Sequence, residues 1–122
     1  MIKVLLNGFL GQMGQVIYKE ILESENMVLV GGVSPRLKDY KGDLPIYTSI
    51  FHCKEEVDLI IDFSLANSLD DLLKYGIETK TPLVIGTTGY KEEDFAKLKE
   101  ASLSLPIFYS QNMSLGINLL LS

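Results

Sequence analysis

Short apolar runs, each closed by glycine, proline or small polar residues, alternate along this chain with segments whose apolar residues recur at helical spacing. Apolar runs of this length and punctuation are typical of strands that are buried on both faces. The segment 57–63, VDLIIDF, is the clearest of them. In chain order, the predicted strands cover residues 4–6, 27–33, 46–48, 57–63, 82–85 and 107–109.

Helices are predicted between several of these strands. The first begins at Gln12, the second follows the fourth strand, and the third covers residues 91–102, with acidic residues where a helix N-terminus favours anions. Apolar residues at offsets of 0, 3, 4 and 8 give the first two helices one inward face each. These residues are Met13, Val16, Ile17 and Ile21 in the first helix, and Leu69, Leu72, Leu73 and Ile77 in the second.

Strands that alternate with helices imply right-handed crossovers and a parallel sheet. The sequence therefore predicts an α/β fold, a doubly wound (Rossmann-type) parallel sheet with helices on both faces. We expect the strand order 3-2-1-4-5-6, in which the first and fourth strands are neighbours at the topological switch point.

Composition and charge exclude several classes of protein. The 122 residues form one domain by length, and 47% hydrophobic with 22% charged residues is ordinary globular composition. A net charge of −5 has the wrong sign for binding phosphate backbones, so nucleic acid is not expected as a partner. We expect no membrane span, no signal peptide and no metal site, and the single Cys53 fits a reducing cytoplasm.

The glycine-rich segment 8–14 lies directly between the first strand and the first helix. Backbone N–H groups at a helix start can hold a diphosphate, and missing Cβ atoms let the ligand approach the backbone. The spacing differs from the common G-x-G-x-x-G because Phe9 stands in the first glycine's place. The segment predicts a dinucleotide-binding turn; the alternative is that its glycines serve only a tight turn and close helix-to-strand packing.

Polar residues follow three further strands, in the segments Asp62-Phe63-Ser64, Gly86-Thr87-Thr88-Gly89 and Ser110-Gln111-Asn112. The carboxyl ends of these strands converge on the crevice where ligands bind in open α/β sheets. We expect Thr87 and Thr88 to offer hydroxyls to the nicotinamide ribose or carboxamide, and Phe63 to form an apolar wall beside the cofactor.

The remaining chemically capable side chains favour structural roles. His52 is remote in sequence from the strand-end loops, which favours a surface or packing position. Asp58 and Asp62 flank the fourth strand without a His or Lys at a matching strand end, so we expect them to orient loops rather than form an acid/base pair.

The end of the second strand bears on the choice of cofactor. An acidic residue there binds the ribose 2′-OH of NAD in the standard fold. Here the sequence reads Val33-Ser34-Pro35-Arg36, followed by Lys38, so no carboxylate occupies that position. We therefore expect NADPH to be accepted at least as well as NADH.

Four ordered motifs together resemble the amino-terminal domain of the dihydrodipicolinate reductase family. The family's first turn, Gly-x-x-Gly-x-Met-Gly, is matched by Gly8, Gly11, Met13 and Gly14, and its Asp-Phe-Thr or Asp-Phe-Ser by Asp62-Phe63-Ser64. Its Gly-Thr-Thr-Gly is matched by residues 86–89, and its Asn-Phe/Met-Ser-x-Gly-Val/Ile-Asn by residues 112–118. The resemblance spans nearly the whole chain.

The resemblance implies a cytoplasmic enzyme of diaminopimelate and lysine synthesis that passes a hydride from NADH or NADPH to a cyclic unsaturated dicarboxylate. Many members have Glu-Arg where this chain has Ser34-Pro35, at the adenosine ribose. Residue by residue, the diphosphate would lie on Gly8, Phe9, Leu10, Gly11, Gln12 and Met13, the nicotinamide ribose on Gly86, Thr87 and Thr88, and the nicotinamide region on Ser110, Gln111, Asn112 and Met113, with Phe63 lining the site.

The family's catalytic His-His-x-x-Lys motif and its Pro-Ser-Gly-Thr substrate loop are not present in this sequence. We therefore expect a dinucleotide-binding domain at residues 1–113, and at 114–122 the start of a connection, with a helix at 115–121, to a second domain for substrate and tetramerisation. The chain alone should bind cofactor without turnover, and the full-length parent should be a homotetramer. The alternatives are an NAD(H)-sensing regulatory module and the cofactor domain of another amino-acid dehydrogenase.

Overall fold

A computed structural model of the chain describes residues 1–35 and 42–109. The strands are β1 (Ile2–Asn7), β2 (Met27–Val33), β3 (Ile46–Tyr47), β4 (Leu59–Asp62), β5 (Leu83–Ile85) and β6 (Ile107–Tyr109), and the helices are α1 (Gln12–Leu22), α2 (Leu69–Thr79) and α3 (Glu92–Ala101). Short 3₁₀ turns cover Ile50–His52 and Ala66–Ser68. The boundaries predicted for these strands and helices differ from the observed ones by at most two residues.

The sheet has six strands in the order β3-β2-β1-β4-β5-β6, and every pair is parallel. This order confirms the predicted doubly wound α/β fold. Asn7, Asp62 and Ile85 are register partners across β1, β4 and β5, so the ends of these three strands lie side by side. The switch point between β1 and β4 therefore lies at the centre of the carboxyl edge, where polar side chains can converge.

The central strands of the sheet are buried on both faces, as the apolar runs predicted. Leu5, Ile60 and Leu83 pack with residues of α2 and α3 on one face, whereas Leu6 and Ile61 pack with residues of α1 on the other. All four residues of β4 are buried, because this strand lies between two paired neighbours and under helices on both sides. The two apolar layers hold the carboxyl edge of the sheet in place.

The inward face predicted for α1 is partly wrong. Met13 and Val16 are 48% and 47% exposed, whereas the buried residues of this helix are Gly14, Ile17 and Ile21. The helix begins so close to the preceding turn that only a glycine fits on its inner side, and this turns Met13 and Val16 toward solvent. The helical spacing of apolar residues could not show this, because glycine does not count as apolar in such a pattern.

The apolar face predicted for α2 needs a similar correction at its last residue. Leu69, Leu72 and Leu73 are buried as expected, but Ile77 is 42% exposed. Tyr75 and Gly76 are buried instead, and a Cβ at Gly76 would lie 3.1 Å from a methyl group of Leu83. Close contact between α2 and β5 therefore decides which residues of the last turn face the core.

Ile60 in β4 is fully buried, whereas Ile77 on α2 is 42% exposed. Truncating each of these isoleucines therefore gives a direct test of the core. We expect Ile60→Ala to lower the free energy of unfolding by about 3–4 kcal/mol, because a fully buried side chain is lost from a packed strand and leaves a cavity. Ile77→Ala is the matched control and should cost less than about 1 kcal/mol. Urea unfolding of both variants checks the prediction, and equal losses would contradict the described core.

None of the helices within residues 1–35 and 42–109 is long and apolar enough to cross a lipid bilayer.

Candidate functional site

The turn between β1 and α1 brings three strand ends together. Gly8 has a φ of +90°, and a Cβ at this position would lie 2.8 Å from the carbonyl carbon and oxygen of Phe63. The N–H groups of Gly8 and Phe9 both donate to the carbonyl of Val33, at 2.8 and 3.1 Å. A side chain at residue 8 would collide with the backbone that follows β4, so a glycine is required here whether or not the turn binds a ligand.

Gly14 is required for the packing of α1 against this turn. A Cβ at Gly14 would lie 2.3 Å from the carbonyl oxygen of Gly8 and 2.7 Å from that of Phe9. Both contacts are with backbone atoms, which cannot move without displacing the turn. For Gly8 and Gly14, tight packing is thus sufficient to explain the glycine.

Gly11 is different, because nothing in residues 1–35 and 42–109 requires a glycine there. Among the described residues, a Cβ at Gly11 would meet the carbonyl oxygen of Gly8 alone, at an ordinary distance of 3.4 Å. Gly11 is the N-cap residue of α1 and lines a cavity at the carboxyl edge of the sheet. A missing side chain that opens a cavity beside a helix N-terminus is what the approach of an anionic ligand needs.

The start of α1 also offers unpaired donors. The backbone N–H groups of Leu10, Gln12 and Met13 make no hydrogen bond to another backbone group among the described residues. The first N–H groups of a helix have no intrahelical partner, and the helix dipole adds a positive potential at this end. These three N–H groups can therefore hold an anion beside Gly11.

Phe9 does not have the role predicted for it. Its side chain is 1% exposed and packs on Tyr18, with ring centroids 5.1 Å apart, and its N–H is taken by Val33. The phenyl ring belongs to the core on the α1 face, because the turn folds back over the sheet at this residue. Neither the side chain nor the N–H of Phe9 is available to a ligand.

The cavity at the carboxyl edge has a volume of about 690 Å³. It lies against the ends of β1, β2, β3 and β4 and against the first turn of α2. Five residues predicted for the site line it, namely Gly8, Leu10, Gly11, Ser34 and Phe63. The prediction missed a second group of lining residues, which includes Thr48, Ser49, Leu65, Ser68 and Asp71.

Asp62 fixes the loops around this cavity. Its side chain is 1% exposed, and its Oδ1 accepts from Asn7 Nδ2 at 2.8 Å and from the Ser64 hydroxyl at 2.5 Å. Its Oδ2 accepts from the Thr87 hydroxyl at 2.7 Å. Burial raises the pKa of the Asp62 carboxyl, while the bonds from Ser64 and Thr87 oppose that rise. Asp62 therefore joins three strand ends, as expected for a loop-orienting residue.

Asp58 lies at the opposite edge of the sheet, where its Oδ2 accepts from the backbone N–H of Lys3 at 2.9 Å. His52 is exposed at the end of the 3₁₀ turn Ile50–His52, which agrees with the expected surface position. Among residues 1–35 and 42–109, no group of three or more His, Cys, Asp or Glu side chains could hold a metal ion.

The expected role of the Thr87 hydroxyl is wrong. Thr87 is 3% exposed and its hydroxyl donates to Asp62, so it does not face the cavity. The carbonyl of Thr87 accepts from the Tyr109 hydroxyl at 3.4 Å. Thr88 is exposed, and the N–H of Gly86 donates to the carbonyl of Asp62 at 2.9 Å. None of residues 86–88 lines the cavity, and Ser110, Gln111, Asn112 and Met113 lie outside the described residues.

An aromatic cluster supports the loop that carries Thr87. Tyr90, Phe95 and Tyr109 have ring centroids 5.4–5.9 Å apart. The Tyr90 hydroxyl is buried without a hydrogen-bond partner among the described residues, and this burial raises the pKa of Tyr90. This cluster was not predicted from the sequence, although Tyr90 directly follows the Gly-Thr-Thr-Gly segment.

A parallel sheet in this order, with a glycine turn at the switch point, places the molecule in the Rossmann class of α/β domains. Residues 2–113 match the family model described as dihydrodipicolinate reductase, N-terminus. The chain belongs to this family, which confirms the resemblance found in the motifs.

Curated relatives support the same assignment. The chain is 41% identical over 122 residues to the 4-hydroxy-tetrahydrodipicolinate reductase of Caldanaerobacter subterraneus subsp. tengcongensis, covering 100% of this chain and 48% of the relative. It is 39% identical over 120 residues to that of Clostridium novyi, covering 98% of this chain and 47% of the relative. The chain thus spans about half the length of the curated relatives it matches.

Solved structures show the same fold. A dipicolinate-bound dihydrodipicolinate reductase from Paenisporosarcina sp. TG-14 matches with a TM-score of 0.80 at 21% identity, over 95% of this chain and 49% of that one. A myo-inositol 2-dehydrogenase from Lactobacillus plantarum matches with a TM-score of 0.74 at 12% identity, over 89% and 36% of the two chains.

Proposed function

We propose that this chain is the NAD(P)H-binding part of a 4-hydroxy-tetrahydrodipicolinate reductase. In the complete protein, it would hold the cofactor for hydride transfer to a cyclic unsaturated dicarboxylate in diaminopimelate and lysine synthesis. The observation that carries this proposal is the start of α1, where Leu10 and Gly11 line the cavity and the N–H groups of Leu10, Gln12 and Met13 have no partner among the described residues. Membership of the dihydrodipicolinate reductase family supports the choice of this reaction.

The residues around the cavity fit a dinucleotide in chemistry and in size. A volume of about 690 Å³ lies in the range of small-molecule sites. The N–H groups at the start of α1 would hold the diphosphate, and the hydroxyls of Ser34, Thr48 and Ser49 border the same space, where a ribose would need polar partners. When bound, the nicotinamide ring supplies the hydride, and Phe63 would form an apolar wall of the site.

Asp62 would contribute indirectly, by holding the walls of the site in one arrangement. Its carboxylate ties the end of β1 through Asn7, the loop after β4 through Ser64 and the loop after β5 through Thr87. A ligand that meets prearranged loops loses less conformational entropy on binding. This role requires no contact between Asp62 and the cofactor.

We propose that NADPH is bound at least as well as NADH. Ser34 stands where the standard fold has an acidic residue, and its N–H donates to the carbonyl of Tyr47 at 2.8 Å, which fixes this strand end. A small side chain at this position leaves room for a 2′-phosphate, which a carboxylate would repel. Arg36 and Lys38 lie outside the described residues.

The domain organisation follows from the same proposal. Residues 1–113 would form the cofactor-binding domain, and residues 114–122 would begin the connection to a second domain for substrate and tetramerisation. The match of the family model to residues 2–113 and the greater length of the relatives support this division. The complete protein would act in the cytoplasm as a homotetramer, and this chain alone would not turn over substrate.

Titration calorimetry tests the proposal. We expect both NADPH and NADH to bind the folded chain with dissociation constants from about 1 µM to 1 mM, and NADPH to bind no more weakly than NADH. Nicotinamide mononucleotide, which lacks the diphosphate bridge, should bind much more weakly. If neither NADPH nor NADH gave heat at millimolar concentration, the proposal would be contradicted. If NADH bound more than about tenfold more tightly than NADPH, the interpretation of Ser34 would be wrong.

A further inference from the structure

One wall of the cavity was not predicted from the sequence. It consists of the loop after β4 and the first turn of α2, including Leu65, Ser68 and Asp71. Leu65 is 70% exposed although it borders a cavity, and Asp71 is also exposed. Asp71 is the single charged side chain among the described residues that line this space.

Asp70, the preceding residue, has a different environment. Its Oδ1 lies 3.0 Å from Lys97 Nζ on α3, and it does not line the cavity. Successive residues of a helix point about 100° apart, so the two carboxylates face different surroundings. Of this pair, therefore, Asp71 alone presents its charge to a ligand in the cavity.

Asp71 and Ser34 line the same cavity, so a 2′-phosphate bound beside Ser34 would share this space with the Asp71 carboxylate. Charges interact over a screening length of about 10 Å at 0.1 M salt. The Asp71 carboxylate would therefore repel a 2′-phosphate bound in the cavity. This repulsion weakens the binding of NADPH relative to that of NADH, because the two coenzymes differ only by the 2′-phosphate.

We propose that Asp71 is a specificity-determining residue that disfavours the 2′-phosphate and keeps NADH competitive with NADPH. This inference rests on the proposed function of the same cavity. Ser34 leaves space for the additional phosphate at the end of β2, and Asp71 opposes its charge from the first turn of α2. Because the space beside Ser34 admits the 2′-phosphate while the Asp71 carboxylate repels it, we expect the protein to use both coenzymes.

The test is the ratio of NADPH to NADH affinity, measured by titration on the chain as it exists. We expect Asp71→Asn to raise this ratio about three- to tenfold, the order of magnitude for removing a charge that repels the doubly charged 2′-phosphate across a cavity at the high effective dielectric of a surface site. Asp71→Glu retains the charge and should retain the wild-type ratio. Asp70→Asn removes the same charge one residue away and should change the ratio less than about twofold, because it lies outside the cavity.

Salt provides an independent measurement. At about 0.5 M salt the screening length falls to 4–5 Å, so the difference between wild type and Asp71→Asn should shrink strongly. A ratio that is equal in wild type and Asp71→Asn, with both coenzymes bound, would overturn this inference and leave the proposed function standing. If Asp70→Asn shifted the ratio as much as Asp71→Asn, the effect would be one of net charge and the inference would also fail. Absence of binding of either coenzyme to wild type would overturn both.

Discussion

Replacing Gly11 with valine is expected to weaken NADPH binding by about 100-fold or more while the chain stays folded. The new side chain would stand at the N-cap of α1, beside the N–H groups of Leu10, Gln12 and Met13, and would compete with the diphosphate for the same space. In the part of the chain that the structure describes, its Cβ meets the Gly8 carbonyl oxygen alone, at 3.4 Å. Because valine is a poorer N-cap residue than glycine, the free energy of unfolding should fall by only about 1 kcal/mol. Calorimetry and urea unfolding measure the two effects separately.

Gly14→Ala is the control for this prediction, because it should show the reverse order of effects. Its Cβ would lie 2.3 Å from a backbone oxygen, so the start of α1 must move and stability should fall by about 3 kcal/mol or more. If Gly11→Val unfolded the chain as strongly as Gly14→Ala, Gly11 would be a packing residue and not an opening for a ligand. Unchanged NADPH affinity in Gly11→Val would lead to the same conclusion.

Asp62→Ala should be the most destabilising substitution at the carboxyl edge of the sheet, at about 3–5 kcal/mol. The change removes the acceptor of Asn7 Nδ2 and of the Ser64 and Thr87 hydroxyls, and it leaves a void where the carboxylate stood. Buried donors without an acceptor carry the full cost of lost hydration. Thermal and urea unfolding measure the loss, and a cost below about 1 kcal/mol would show that Asp62 does not hold the loops together.

Asp62→Asn keeps the shape of the side chain and isolates its charge. Burial raises the folded-state pKa of Asp62 above its ordinary value, so the folded protein holds this proton more tightly than the unfolded chain does. The resulting stability is fully present below the ordinary pKa of about 4 and is lost as pH rises through the folded-state pKa. The stability of the asparagine variant relative to wild type should therefore increase with pH across that window. A relative stability that stayed constant or decreased would contradict a raised pKa.

The strands and the topology of the sheet could be predicted because short segments of the sequence mark them. Runs such as 57–63 mark buried strands, and their alternation with helices limits the topology to few possibilities, one of which is the observed order. The faces of the helices were less predictable. Met13, Val16 and Ile77 are exposed because close approaches at Gly14 and Gly76 set the orientation of α1 and α2, and those distances depend on tertiary contacts.

The site was predictable only in part. Gly8, Gly11, Ser34 and Phe63 line the cavity as expected, since strand ends and glycine turns leave clear signals in the sequence. Asp71 was missed as a lining residue because a carboxylate in the first turn of a helix is sufficiently explained by the helix dipole.

The Thr87 hydroxyl and the Phe9 backbone were assigned wrongly for one physical reason. A sequence shows which residues carry donors, but not which acceptors inside the fold have already taken them. In the structure Thr87 donates to Asp62, and Phe9 donates to Val33. Residues 110–113, predicted for the nicotinamide region, stay a prediction because they lie outside the described residues.

Backbone amide chemical shifts test whether a diphosphate binds to the N–H groups at the start of α1. On titration with ADP, the amides of Leu10, Gln12 and Met13 should shift most and saturate together, and AMP at equal concentration should shift them less. If ADP bound while these three amides stayed unchanged, the diphosphate would lie elsewhere and the proposed cofactor site would be wrong.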